Sequence, residues 1–185
     1  MNAKKWCVVS FILLVTLISG CVKSSSVCPL DTLLLEKDLF PDKTYFEPLV
    51  SPIAEYPITS FAQGFSLELS NDIYSVDAGN YWVVYWKSYQ SAQGEFDNDL
   101  KNSFITDATR GPWNTPKEIS FTSSIADDYY TACGISLGYY KCRTIAVYGR
   151  YFVRLGTSIS EQGITYSTYN KLLQAIDEKM FSCAE

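Results

Sequence analysis

Cysteine placement constrains the fold of this 185-residue chain more than any other feature. Six cysteines are present, and two of them, Cys7 and Cys21, lie in or directly after an apolar amino-terminal stretch. The other four are spread over the rest of the chain, at positions 28, 133, 142 and 183. An even number of cysteines in an exported chain is typical of a disulfide framework. We therefore expect a domain held by two disulfides.

Four cysteines allow three connectivities, and we favour Cys133–Cys142 together with Cys28–Cys183. The segment Gly134–Lys141 between the first pair contains two glycines and reads as a short loop that closes easily. The second bond would tie the start of the domain to its end. Each would stabilise the fold by roughly 2–4 kcal/mol. Free buried thiols are the alternative, and a metal site is disfavoured because the chain has no CxxC and no His.

The amino terminus has the pattern of an export signal. Lys4 and Lys5 form a short basic start, and the apolar stretch Trp6–Ile18 follows. This stretch of about 13 residues is shorter than the roughly 20 that a membrane-spanning helix needs. We therefore expect residues 1–20 to act as a signal peptide that is removed from the mature protein.

The signal ends in Leu17-Ile18-Ser19-Gly20-Cys21. Small residues directly before a cysteine resemble the lipobox of bacterial lipoproteins. The resemblance implies that Cys21 becomes the first residue and carries diacylglycerol, with acyl chains of the palmitate type. On this interpretation residues 21–28 are a polar tether and residues 29–185 form a single extracytoplasmic domain.

Charge limits the partners of the mature chain. Setting aside Lys4 and Lys5 leaves 13 basic against 20 acidic residues, a net charge of −7. This balance argues against nucleic acid, whose binding needs Lys and Arg to neutralise phosphates. It also argues against a polybasic grip on anionic lipid. The expected contact with a membrane is the Cys21 lipid anchor, which would hold the domain in the cell envelope, facing the periplasm or the exterior.

The absence of histidine from all 185 residues restricts the chemistry. It excludes Ser-His-Asp and Cys-His hydrolases as usually built, and His-ligated catalytic zinc. Cysteines committed to disulfides are poor nucleophiles. The sequence has no GxGxxG, Walker or EF-hand motif, so we expect no cofactor and no metal. We lean towards a protein that is not an enzyme.

Hydrophobic periodicity predicts an α+β fold, with a mostly antiparallel sheet and helices packed on one face. The aromatic, β-branched segment Asn80–Tyr89 is apolar on both faces, which predicts a central strand. Gly149 and Arg150 predict a two-residue hairpin turn. The remaining predictions are a helix that begins near Leu30 and is ended by Pro41, helices at 91–106 and 166–183, strands at 65–69, 118–122, 144–148 and 151–155, a turn at 70–72 and an irregular loop at 41–57. Thr165 is the predicted N-cap of the last helix. Its predicted buried stripe comprises Tyr169, Leu172, Leu173, Ile176 and Met180.

Aromatic and basic side chains are the candidate binding residues. Exposed Tyr and Trp rings suit glycans or peptides, although filling the core of a β-rich domain is the commoner use of such rings. Arg143, Arg150 and Arg154 fall in or beside one predicted hairpin, where they could clamp a carboxylate or phosphate or simply pair with local acids. The candidate site comprises Trp113, Tyr129, Tyr130, Tyr139, Tyr140 and Arg143.

Carboxylates provide the basis for an alternative, a hydrolase acting on envelope glycans. Asp127 and Asp128 are adjacent, and a glycosidase needs a second, facing carboxylate, for which Glu118 or Glu68 would have to serve. The commoner role of such a pair is a solvated turn or a helix cap.

The order of elements resembles that of the extracellular sensor domains of PknH-type bacterial kinases. The shared outline is an early Leu-rich segment running into Asp38-Leu39-Phe40-Pro41, a strand and helix over Tyr81–Phe104, two late cysteines, an aromatic hairpin and a terminal helix. The resemblance implies an α+β domain with two disulfides and a small-ligand cleft. It implies no catalytic residue, and this sequence contains no kinase domain.

We therefore expect a lipid-anchored, non-enzymatic binding or sensing domain, with a small molecule, a glycan or a protein as the candidate ligand. The glycan hydrolase is one alternative, and a structural envelope or surface interaction protein is the other. Convergent buried acids in a cleft would favour the hydrolase, and an apolar pocket would favour the binding domain. A flat apolar patch would favour the interaction protein.

Overall fold

The protein, seen in a computed structural model, is described over residues 28–42, 44–46, 59–68 and 76–184. The predicted signal, residues 21–27 of the predicted tether and the predicted turn at 70–72 lie outside these ranges. The strands and α-helices of the described residues are β1 Thr44–Phe46, β2 Thr59–Glu68, β3 Val76–Tyr85, α1 Tyr89–Ser103, β4 Asp128–Ser136, β5 Tyr139–Tyr148, β6 Tyr151–Ser158 and α2 Tyr166–Ala184.

The strands form one six-stranded antiparallel sheet in the order β1-β2-β3-β6-β5-β4. Strand β3 lies inside the sheet between β2 and β6, as its two apolar faces predicted. Gly149 and Arg150 form the turn between β5 and β6, and Gly149 takes a φ of 58°, which glycine adopts without strain. The predicted α+β class with an antiparallel sheet is confirmed.

The two helices cover opposite faces of the sheet, whereas the sequence predicted that they share one. Helix α1 packs Ala92 and Phe96 on Val84, Ile145 and other residues of one face. Helix α2 packs on the other face, which is the larger core. The reason is that β3, β5 and β6 carry apolar side chains on both faces, so both faces need cover. The buried residues of α2 are Tyr169, Leu172, Leu173, Ile176 and Met180.

Local signals account for both helix starts. The hydroxyl of Ser88 accepts a hydrogen bond from the Ser91 backbone N–H at 3.2 Å and caps α1. The hydroxyl of Thr165 accepts from the Thr168 backbone N–H at 3.2 Å and caps α2, as predicted. Among the described residues, no helix has the length and apolar character that crossing a membrane requires.

The structure contains two disulfides, Cys28–Cys183 and Cys133–Cys142, with Cα atoms 5.5 and 4.0 Å apart. Cys133 and Cys142 lie directly opposite each other on β4 and β5, so this disulfide bridges two paired strands. The segment between them is therefore mostly strand, and not the loop that was predicted. The reversal needs only Leu137 and Gly138, both with positive φ, which is the geometry of a tight hairpin turn.

Three other predictions differ from the structure. The predicted helix near residue 30 is a pair of 3-10 turns, Leu30–Leu33 and Lys37–Leu39. The proline-bearing segment at 41–57 includes the short edge strand β1. Residues 118–122 form no strand, because the Asn170 side chain on α2 accepts from the backbone N–H groups of Ser120 and Phe121, both at 3.0 Å.

Candidate functional site

A cleft of about 230 Å³ opens on the same face of the sheet as α1. Helix α1 packs over Ile145, Val147 and Phe152, and the cleft lies over the neighbouring stretch of β3, β6 and β5. Its volume is slightly below the range of drug-sized ligand pockets, which suits a small ligand. The cleft is lined by Gly79, Asn80, Lys141, Cys142, Arg143, Arg154, Gly156 and Thr157.

Strand register brings the polar lining residues together. Gly156 on β6 is paired with Asn80 on β3 and with Arg143 on β5, so the three lie in one row across the sheet. A Cβ atom on Gly156 would lie 3.5 Å from Asn80 Oδ1 and 3.9 Å from Arg143 Nε. The missing side chain of Gly156 therefore leaves the floor of the cleft open between an amide and a guanidinium.

Arg143 is held in place without a carboxylate. Its Nη1 donates a hydrogen bond to the Ser103 carbonyl oxygen at 2.7 Å, at the carboxyl end of α1, where the helix dipole favours a cation. Its guanidinium lies 5.8 Å from the ring centre of Phe104 and 5.5 Å from that of Trp113. Burial lowers the pKa of Arg143, which marks the cost of desolvating this cation.

Arg154 is the second guanidinium of the cleft, and it has a partial counter-ion. Its Nη1 lies 3.5 Å from both carboxylate oxygens of the buried Asp99, and its guanidinium stacks over Trp82 at 4.7 Å. Asp99 also accepts a hydrogen bond from the hydroxyl of Ser103. Burial and the neighbouring Asp99 raise the pKa of Glu95, one helical turn away, and Arg154 opposes them. Arg154 is therefore anchored to α1 while it lines the cleft.

The aromatic candidates on this face form a structural cluster under Arg143. Trp113 and Tyr130 both pack edge to face on Phe104. The ring centres are 5.4 Å apart for Trp113 and 4.8 Å apart for Tyr130. The Trp113 indole N–H donates to the Ile105 carbonyl at 3.0 Å, and its ring comes within 3.0 Å of where a Cβ on Gly134 would lie. The cluster fastens the loop after α1 to the edge strand β4. Trp113 and Tyr130 thus position Arg143 and do not line the cleft.

The other tyrosine candidates lie elsewhere. Tyr129 packs into the α2 face of the core, where burial raises its pKa, so it is not available to a ligand. Tyr139 and Tyr140 are exposed at the β4–β5 hairpin, with Tyr140 accepting from the Tyr166 hydroxyl at 3.0 Å. Ile135, the residue of β4 paired with Tyr140, lies five positions along the strand from Tyr130, a distance of about 17 Å. The tyrosine pairs therefore do not converge on one site.

The predicted carboxylates act in turns and contacts between elements. Asp127 accepts from the Gly149 backbone N–H at 2.6 Å, and Asp128 accepts from the Tyr89 hydroxyl at 3.2 Å. Glu118 is exposed in the loop between α1 and β4, and Glu68 is the last residue of β2. Asp127, Asp128 and Glu118 do not line the cleft, and the Glu68 side chain lies outside the described part of the structure. Within the described ranges, no group of three or more Cys, Asp or Glu is placed to hold a metal ion.

The apolar end of the β4–β5 hairpin is a second exposed feature. Ile135, Leu137 and Tyr139 are 50%, 71% and 58% exposed. The chain enters the domain at the other end of β5, because the Cys28 backbone N–H donates to the Tyr151 hydroxyl at 2.8 Å beside the β5–β6 turn. The ten residues of β5 place the hairpin end about 30 Å from that entry point.

Sequence reasoning found Arg143 and missed Asn80, Lys141 and Gly156 as lining residues. Gly156 carried a usable signal, because a glycine inside a strand pattern often marks a close approach or an opening. The predicted arginine cluster is partly right: Arg143 and Arg154 meet at the cleft, whereas Arg150 stacks on Tyr85 at 4.5 Å. The cleft is polar and basic, so it is not the apolar pocket that the sequence analysis named as favouring a binding domain.

No protein-family model and no curated protein matches this chain. Among solved structures, the fold is similar to that of the extracellular domain of PknH from Mycobacterium tuberculosis, with a TM-score of 0.51 and 11% sequence identity. The similarity covers 82% of this chain and 94% of that domain. It supports the outline resemblance seen in the order of elements, and at this identity it shows a shared fold alone.

Proposed function

We propose that this chain is a lipid-anchored extracytoplasmic domain that binds a small ligand without catalysis. The observation that carries the proposal is the cleft over β3, β6 and β5, where strand register brings polar side chains around an open glycine. Small-ligand sites are concave and use a few precisely placed polar groups to orient the ligand, and the lining of this cleft supplies such groups. In this proposal the sheet and its two helices are a rigid support for that cleft.

Export is supported by three independent observations. The amino terminus has a basic start and an apolar stretch that ends at the lipobox-like Cys21. Two disulfides link the domain, and such bonds persist in oxidising compartments. The structural neighbour is itself an extracellular domain. In this proposal acyl chains on Cys21 anchor the protein in the cell envelope.

The non-catalytic part of the proposal rests on residue types and their contacts. The chain has no His, and its four domain cysteines are in disulfides. Glu95 and Asp99, the two carboxylates of α1 that interact with Arg154, lie outside the lining of the cleft. Asp99 is held by Arg154 and Ser103. A glycan hydrolase would need two carboxylates facing the cleft, so we do not favour that alternative.

A structural or surface interaction protein is the second candidate. The observation that favours it is the exposed apolar hairpin end formed by Ile135, Leu137 and Tyr139. If residues 21–27 tether the domain to a membrane, this end points away from that membrane, where a protein partner could reach it. The two candidates differ in the surface that matters, which is the cleft for the first and the hairpin end for the second.

Metabolic labelling tests the anchor. Cells that express the full chain and are fed an alkyne-tagged fatty acid should label the wild-type protein, and Cys21→Ser should remove the label completely. Cys7→Ser is the matched control, since it lies within the predicted signal and should leave the label in place. The physical reason is that only the Cys21 thiol is positioned to form the thioether. Label that persists in Cys21→Ser would refute the lipid anchor.

A further inference from the structure

The cleft carries an excess of positive charge on an acidic protein. Lys141, Arg143 and Arg154 line it, and Asp99 is the one carboxylate that contacts any of them within 4 Å among the described residues. The chain as a whole has a net charge of −5. Three basic side chains of an acidic protein thus line one small cavity, where the low-dielectric walls strengthen their electrostatic field.

Arg143 is the most informative member, because it is a partly buried cation that no carboxylate contacts. Burial lowers its pKa, and the more distant Asp99 opposes that shift. Its described partners are a carbonyl oxygen and two aromatic rings, and no carboxylate lies within 4 Å of it in the described ranges. A buried charge is costly unless it is paired. The contacts instead fix the guanidinium beside the open floor at Gly156, with Nε 3.9 Å from the position of the absent Cβ.

Arg143 and Arg154 are diagonal neighbours across β5 and β6, since Arg143 is opposite Gly156 and Arg154 lies two residues before it. A guanidinium donates up to five hydrogen bonds in a planar fork that matches the two oxygens of a carboxylate or phosphate. Asn80 lies on the other side of Gly156, and its carboxamide carries an NH2 donor beside the oxygen that faces the glycine. Lys141 adds a compact charge at the same cleft. This set of donors suits a small oxyanion.

We propose that the cleft binds a small soluble oxyanion, with a carboxylate or phosphate group held between Arg143 and Arg154 over Gly156 and with Lys141 adding the third positive charge. The inference rests on the proposed function, in which a ligand occupies this cleft. A nucleic acid is too large for a cavity of about 230 Å³. A headgroup of the anchoring membrane is disfavoured because Lys141 and Arg143 lie in the half of β5 farther from Cys28.

Two variants test the site while leaving the core intact. Gly156→Val fills the floor, and its Cβ would make only ordinary contacts with Asn80 and Arg143. Lys141→Gln removes one positive charge at the cleft. The matched controls are Lys117→Gln, which removes the same charge from an exposed loop, and Gly94→Ala, a glycine substitution where the new Cβ contacts nothing within 4 Å.

Calorimetric titration of the mature lipoprotein in detergent micelles, with inorganic phosphate and with succinate, provides the measurement. Sodium chloride keeps the ionic strength constant, so that general screening is not mistaken for binding. We expect saturable binding by wild type, at least about tenfold weaker binding by Gly156→Val, and about three- to tenfold weaker binding by Lys141→Gln. Both control variants should bind as wild type does.

Four results would overturn the inference. The first is that neither phosphate nor succinate binds saturably, and the second is that Lys117→Gln weakens probe binding as much as Lys141→Gln does. The third is that Gly156→Val binds the probes as tightly as wild type, and the fourth is that the protein binds only to vesicles containing phosphatidylglycerol. Unfolding and refolding natively purified protein would release any ligand that co-purifies with it, and the melting temperature would then fall. If it falls although neither phosphate nor succinate binds, the cleft takes a ligand of other chemistry. That outcome would contradict the oxyanion and leave the proposed function standing.

Discussion

Ending the chain at Thr165, so that helix α2 is removed, is expected to abolish cooperative folding of the domain. The helix buries five large side chains, and each contributes about 1.5–3 kcal/mol when removed from water. Together they match the roughly 5–15 kcal/mol by which a typical domain is stable. The face of the sheet that α2 covers would also be exposed, including Tyr81 and Val83. Near-ultraviolet circular dichroism and a thermal melt would report the loss.

The control for this deletion separates the helix from its disulfide. Removing α2 also removes Cys183, so the truncated chain should carry Cys28→Ser and be compared with full-length Cys28→Ser, Cys183→Ser. Loss of that disulfide alone is expected to lower the free energy of unfolding by about 3–5 kcal/mol, since it closes most of the domain. A truncated chain that still melts cooperatively would contradict the packing described for α2.

Alkaline pH is expected to unfold the protein steeply above about pH 10. Burial raises the pKa of Tyr81, Tyr129, Tyr148 and Tyr169 above the ordinary value of 10.0. These tyrosines stay protonated in the folded state, while the unfolded chain loses their protons above about pH 10. The unfolded state then binds fewer protons, so stability falls as pH rises. Each tyrosine contributes up to about 1.4 kcal/mol per pH unit, so the four together contribute up to about 5.6 kcal/mol per pH unit.

The measurement is absorbance at 295 nm, which reports tyrosinate, recorded with far-ultraviolet circular dichroism across the pH range. We expect part of the absorbance to appear in one step that coincides with unfolding. Tyr81→Phe is the informative variant, because the Tyr81 hydroxyl has no hydrogen-bond partner among the described residues. It should reduce the pH slope by about 1.4 kcal/mol per unit without loss of stability at pH 7. Full ionisation of the tyrosines in a folded protein would refute the prediction.

Local sequence signals predicted the parts of the fold that depend on nearby residues. The Gly149-Arg150 turn, the Thr165 cap and the buried stripe of α2 are each specified within a few positions, and all three are present. Strand β3 was predicted as central because both of its faces are apolar. The same observation on β5 and β6 implies cover on two faces, which the sequence interpretation did not extend to the placement of the helices.

The cleft could not be predicted because it depends on strand register over long sequence separations. Asn80 meets Gly156 only because β3 pairs with β6, although the two residues are far apart in sequence. The role of Trp113 was likewise hidden, since its contact with Phe104 and Gly134 requires the loop after α1 to run along the edge of β4. Aromatic content indicated a ligand surface, whereas most of these rings serve packing.

Intact mass spectrometry of the protein extracted from membranes tests the central claim most directly, which is that a lipidated amino terminus holds an oxidised binding domain outside the cytoplasm. The account predicts a chain that begins at Cys21 and carries acyl chains, with a mass that rises by about 4 Da on reduction because each disulfide takes up two hydrogens. A mass corresponding to an unprocessed chain from Met1, or one unchanged by reduction, would contradict it.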